Sequence, residues 1–428
     1  MAYNLPNIFL SFTIFLFTIS TLFNNAVSKT YWTDVHVLKQ IKQGIVPDSL
    51  SPGSCISSWD FSVDPCDNLF SDKFTCGFTC EDVVWGNHYI SRVTELGLDQ
   101  ASYSASLSSV SWNLPFLRSL DLTGNNFSGP IPASLSNLTR LTKLILSRNS
   151  LSGAIPDSVG KLTNLEELVL DNNALVGPIP KSFSGFIDLK RLEIQGNQLS
   201  GDFPDLSRLS TLSFMDCSEN KISGKVPTNF PASLVEISMR NNDLSGNLKH
   251  EIVTKLPFLQ VLDLSFNQLS GSVPASLFTH PILQQLSLSN NDFTSIEVPS
   301  GLGSTESGLI AIDLSNNQLS GLLPLFLGLM PKLSALTLEN NKLMGLIPTQ
   351  FALKTVWPGP GMAPFERLLL GGNFLFGPIP DPLMRLEPGS IHINLADNCL
   401  LVCPDTLFFC QGGDQKSSEE CRNSIGIP

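Results

Sequence analysis

The sequence predicts an α/β solenoid, a single coil in which short strands and turns are stacked unit upon unit. Three observations predict it. An apolar phrase, L-x-x-L-x-L, is followed after two residues by Asn and then usually by L-S-G-x-I-P, and it recurs along most of the 428 residues. Copies begin at Leu117, Leu141, Leu165, Leu189, Leu212, Leu234, Leu259, Leu283, Leu309, Leu333 and Phe365, with a shortened last one from Ile391 to Leu400. The steps between starts are 24, 24, 24, 23, 22, 25, 24, 26, 24 and 32 residues, a period that marks stacked repeats rather than separate domains. Finally, four cysteines precede the array (Cys55, Cys66, Cys76, Cys80), four follow it (Cys399, Cys403, Cys410, Cys421), and Cys217 stands alone between.

In chain order, the apolar run Ile8 to Phe23 ends in the small-x-small pattern Ala26-Val27-Ser28. Residues 1–28 are therefore expected to be a secretory signal. Residues 29–92 form a cap, opened by helical apolar spacing from Asp34 to Ile41. Residues 93–398 hold about twelve coils, and 399–428 a second cap and a polar tail. No later apolar run is long enough to span a bilayer, so no transmembrane anchor is expected. Grouped cysteines in an exported chain read as disulfide staples at the solenoid's ends. Cys76-x3-Cys80 and Cys399-x3-Cys403 have loosely zinc-like spacing, but an oxidising compartment argues against zinc. No metal or cofactor is expected. Cys217 fills an apolar core position of its repeat and reads as a buried thiol.

Within one unit, the second and third Leu of L-x-x-L-x-L point into the coil and the residues flanking them point out. The Asn three residues past the last Leu can both donate and accept, so it can satisfy backbone groups that lose water inside the turn. All twelve units carry it, from Asn125 to Asn398. The unit from Leu234 has Leu248-Lys249 in place of I-P, and the unit from Leu283 lacks the Gly and carries extra residues. Those two are the expected irregularities. Leu353 to Pro364, a Pro/Gly-rich stretch around Trp357, is the extra length in the 32-residue step and reads as a surface loop rather than one folded onto the inner face.

The full phrase L-x-x-L-x-L-x-x-N-x-L-S-G-x-I-P resembles the plant-specific class of extracellular leucine-rich repeats, found in receptor-like kinases, receptor-like proteins and polygalacturonase-inhibiting proteins. That resemblance implies a right-handed superhelix with a concave parallel sheet, short 3-10 turns or loops outside, and a second short strand near L-S-G-x-I-P. Trp59, Asp64-Pro65-Cys66 and Gly77-Phe78-Thr79-Cys80 echo the family's first cap, although residues are inserted between Cys66 and Gly77. The resemblance implies the pair Cys66–Cys80, which leaves Cys55 with Cys76. Cys403 to Cys410 matches the family's second cap and implies that pair, leaving Cys399 with Cys421.

Function must then lie at the outward positions of the strands. Between Lys143 and Arg240 these carry most of the charge and an aromatic, whereas from Gln285 to Ser315 they are small and uncharged apart from Asp313. Binding surfaces favour Arg and aromatic anchors. Lys143, Glu167, Arg191, Glu193, Phe214, Asp216, Glu236 and Arg240 are the expected ligand-binding residues; the competing reading is a cross-strand charge ladder. Glu193 and Asp216 lie on adjacent strands at a spacing reminiscent of a glycosidase pair, but an open face should keep both solvated, so no enzyme is expected. Asn126-Phe127-Ser128 and Asn137-Leu138-Thr139 are glycosylation sequons. With a net charge of −12 and no basic cluster, nucleic acid is not an expected partner. The expected function is a secreted recognition protein of the plant apoplast that binds an extracellular peptide or protein, with a membrane receptor kinase as a further partner. The alternatives are an inhibitor of a wall-degrading enzyme such as polygalacturonase, or a truncated receptor ectodomain.

Overall fold

The computed structural model describes residues 29–86, 88–300, 306–411 and 413–425; the expected signal segment lies outside them. The first helix among the described residues is Trp32–Gly44, whose Val37, Leu38 and Ile41 are buried in the cap beside an antiparallel hairpin, Phe78–Trp85 with His88–Gly97. Asp34 on this helix takes two hydrogen bonds from the Arg92 guanidinium, at 2.9 and 2.8 Å, and a third from the backbone N–H of Val93. Both side chains are almost wholly buried, and the Arg92 guanidinium lies 4.5 Å from the Tyr31 ring and 4.4 Å from that of Phe116. The disulfides Cys55–Cys76 and Cys66–Cys80 close this cap.

The second hairpin strand is also the first of the solenoid: Glu95 and Leu96 pair in parallel with Ser119 and Leu120. The expected boundary at 92/93 therefore falls inside a strand that cap and repeats share. From there one strand per coil is added in sequence order down to His392–Asn394, giving a 14-stranded sheet with the hairpin included. Behind it a single apolar core runs from Val37 to Cys410.

The Asn of each unit makes the ladder its chemistry allows. Asn291 accepts from the Leu269 N–H of the preceding coil at 2.9 Å, and its amide donates to the carbonyls of Leu264, Leu288 and Ser289. The same four-bond pattern recurs at, for example, Asn149, Asn220 and Asn341. Each Asn thus ties its own turn to the coil before it.

The L-S-G segments form the second short strands, in sheets of nine and four. The break falls after Asp292–Ile296, in the unit from Leu283 that lacks the Gly. The unit from Leu234 does not interrupt the sheet: Asp243–Asn247 pairs on both sides, and Leu248 is buried where Ile usually sits. On the outer wall the coils carry short helical turns, such as Lys181–Gly185 and Glu251–Thr254. The two coils between these, from Leu189 and Leu212, are the shortest, and no helix lies between Gly185 and Glu251.

The long step contains more order than a loop. Thr349–Val356 is a helix packed among its neighbours' outer turns, and the stretch from Trp357 onward lies on the outer side, with the Trp357 ring 5.6 Å from the Arg385 guanidinium. Lys354 on this helix is 2% exposed, donates to the Met330 carbonyl at 2.6 Å, and is held down to a pKa of about 8 by burial. The unfolded chain keeps that proton to a higher pH than the folded one. Stability should therefore climb as pH rises from about 8 toward the ordinary lysine value, and the penalty is fully present below pH 8. Lys354→Met is expected to stabilise the fold by about 1–2 kcal/mol at pH 6, once loss of the bond to Met330 is set against relief of the buried charge. Urea unfolding at pH 6 and 9.5 checks this, with the gain shrinking at the higher pH.

The C-terminal end is closed by Cys399–Cys421 and Cys403–Cys410. All eight end cysteines are thus in disulfides, in the expected pairs. Cys217 is free and buried, and burial pushes its thiol well above the usual range.

Candidate ligand-binding face

Strand register sets the outward residues in rows across the inner sheet. One row runs Ser119, Lys143, Glu167, Arg191, Phe214, Glu236, Val261, and the next runs Asp121, Ile145, Val169, Glu193, Asp216, Ser238, Asp263. Adjacent strands lie about 4.8 Å apart, so neighbours in a row touch. Five of the eight expected residues share the first row, and Glu193 and Asp216 are neighbours in the second. Arg240 lies just past its strand.

These side chains are organised among themselves. Lys143 pairs with Glu167 at 2.8 Å, an exposed bridge worth about 0–1 kcal/mol that also raises the Lys143 pKa. To that extent the charge-ladder reading holds for this pair. Arg191 differs: it pairs with Glu193 on its own strand while its guanidinium lies 4.0 Å from the centre of the Phe214 ring. Gln195 donates to the other Glu193 oxygen at 3.1 Å. Arg240 lies 5.0 Å from the ring of Phe266, which is half exposed and has a φ of 55°. Sequence reasoning missed Phe266 because it follows the alternating positions, where Asn172, Asn241, Asn290, Asn316 and Asn340 sit in the same left-handed conformation. An aromatic at a position that the other coils give to Asn, Gly or a charged residue was the available signal.

The leucine rich repeat family model matches residues 115–175, 139–199, 258–279 and 308–330. A solved plant peptide hormone receptor, RGFR1 in complex with RGF2, is 30% identical with a TM-score of 0.65, over 75% of this chain and 51% of that one. Receptor-like protein 41 of Arabidopsis thaliana is 35% identical over 100 residues, 22% of this chain and 11% of that protein. The chain is built of leucine-rich repeats and is similar to extracellular plant proteins of that kind. Mouse lumican is 38% identical over 92 residues, 21% of this chain and 27% of lumican. The chain thus spans about a quarter of the curated relatives it matches first.

In this leucine-rich-repeat sheet the acidic residues depart from expectation. Asp216 and Glu236 are half buried, and burial pushes both carboxyls above the usual range, helped by the charges of Glu193 and Asp263 at Asp216 and of Asp216 and Glu193 at Glu236. Rows packed at strand spacing shield one another from water, so the face is less open than alternation implies. Asp216 also shapes its own turn by accepting from the Ser218 N–H at 2.9 Å, as Asp121, Asp263 and Asp313 do from their own i+2 residues. In the last coil Asn394 makes the same bond to Ala396. Asp216→Asn therefore keeps the turn and removes a poorly solvated charge. With both pKa values raised in the folded state, stability falls as pH rises through the carboxylate range. The Asn variant should flatten that fall and gain about 0.5 kcal/mol at pH 7, read from urea midpoints between pH 3.5 and 7.

Among the described residues no cluster of three or more His, Cys, Asp or Glu could hold a metal, and no helix is long and apolar enough to cross a membrane.

Proposed function

We propose that this chain is a secreted, non-catalytic recognition protein whose inner sheet binds an extracellular peptide or protein in plant defence or development, passing the signal to a membrane receptor kinase. The observation that carries the reading is Arg191 stacked on Phe214 and anchored by Glu193, at the centre of the charged rows. A planar cation held over an aromatic face is a preorganised anchor for a carboxylate or a peptide backbone. The hormone-bound state of the similar receptor RGFR1 supports a peptide as the ligand class. Asn126 and Asn137 are exposed away from this sheet, so glycans there would leave it free.

The test is binding of a synthetic library of secreted plant peptides to the folded protein. Arg191→Ala is expected to weaken a retained peptide by about 10- to 100-fold, the range of an interface anchor. Peptides bound equally by wild type and variant would sink the reading. Stoichiometric inhibition of a polygalacturonase would replace it with the inhibitor alternative.

A further inference from the structure

The coils from Leu189 and Leu212 leave a groove on the outer wall, opposite the sheet and independent of the reading above. Their steps of 23 and 22 residues are too short for the helical turn that flanks them on either side, at Lys181–Gly185 and Glu251–Thr254. A cleft of about 880 Å³ lies between the coil from Leu189 and the coils before it, whose helical turns Asp157–Lys161 and Lys181–Gly185 contribute to its wall. A second of about 580 Å³ lies over the coils from Leu189 and Leu212; the two share Asp202, Phe203, Pro204 and Asp205. Phe203, backed by Phe230 at 6.3 Å, forms an apolar sill with Pro204 and Val226.

The rim is charged. Asp157, Lys181, Asp202 and Asp205 line the first cleft, and Lys225 and Lys249 join the last two Asp in the second. All six side chains are exposed, and among the described residues none is in an ion pair. The Asp202 carboxylate lies across Gly224 and the Lys225 stem across Gly246, so the groove's polarity changes sign from one coil to the next. Unpaired charges of both signs around an apolar sill disfavour a polyanion such as an acidic polysaccharide and suit a ligand with its own paired charges.

We propose that this groove binds an extended peptide segment bearing a basic side chain and an acidic group about two to three residues apart. The basic group would face Asp202 and Asp205, and the acidic one Lys225 and Lys249. These pairs sit one to two coils apart, about 5–10 Å, which an extended chain covers at about 3.3 Å per residue.

A displayed library of random heptapeptides, panned on the folded protein, tests this. Enriched peptides should carry the opposite-charge pair at that spacing. Resynthesised with a fluorophore, they should bind at least 10-fold more weakly to Asp202→Lys/Asp205→Lys and to Lys225→Glu/Lys249→Glu, both checked for folding by circular dichroism. Absence of enrichment, or enrichment without the charge pair, overturns the proposal. Binding that survives both groove variants overturns it too; loss on Arg191→Ala would place those peptides on the inner sheet and support that site alone.

Discussion

Asn291→Ala is expected to lower the unfolding free energy by about 3–5 kcal/mol, far more than an average substitution. The side chain is 6% exposed and makes four bonds to backbone groups of two coils. Truncation strands one N–H and weakens three carbonyls inside a turn that water does not reach. Asn291→Asp should be no milder, because an ionised carboxylate would face three carbonyl oxygens. Its neighbour Asn290, at a φ of 54°, provides the control: Asn290→Gly keeps the left-handed backbone and should change stability little. Urea unfolding of the three variants checks this. Equal losses at 290 and 291 would refute the ladder as a source of coil-to-coil cohesion.

Asp34→Ala should cost a similar amount, about 3–5 kcal/mol, at the other kind of site. It leaves the Arg92 guanidinium buried between two aromatic rings with no counter-charge, and frees the Val93 N–H. Asp34→Asn should lose less, and Asp34→Ala/Arg92→Met less than the sum of the single changes, since the double variant buries no lone charge. Hydrogen exchange separates local from global loss: amides of Trp32–Gly44 and the hairpin should open first, while coils beyond Leu141 stay protected.

These two sites show what a sequence can disclose. Asn291 was legible because a repeat presents twelve copies of one requirement, and the amide's donor and acceptor chemistry leaves little else for it to do. The missing Gly in the unit from Leu283 was legible for the same reason, and the second sheet breaks there. Asp34 was read only as a member of a helix, because its partner lies 58 residues away and no local pattern joins them. The shielding of Asp216 was hidden because alternation reports which side a residue faces, not how tightly neighbouring rows crowd it. The helix Thr349–Val356 was obscured by the Pro and Gly that follow it. The outer groove left its trace only in two step lengths.

Two coils in which every residue is described and none is in a helical turn, those from Leu189 and Leu212, also carry Arg191, Glu193, Phe214 and Asp216 on their inner side. Bending stiffness rises steeply with wall thickness, so an arc yields more readily where its wall is thin. Here a thin stretch lies directly behind the residues proposed to bind. A ligand seated across them would draw the flanking arms together at less elastic cost than one seated over coils backed by helical turns.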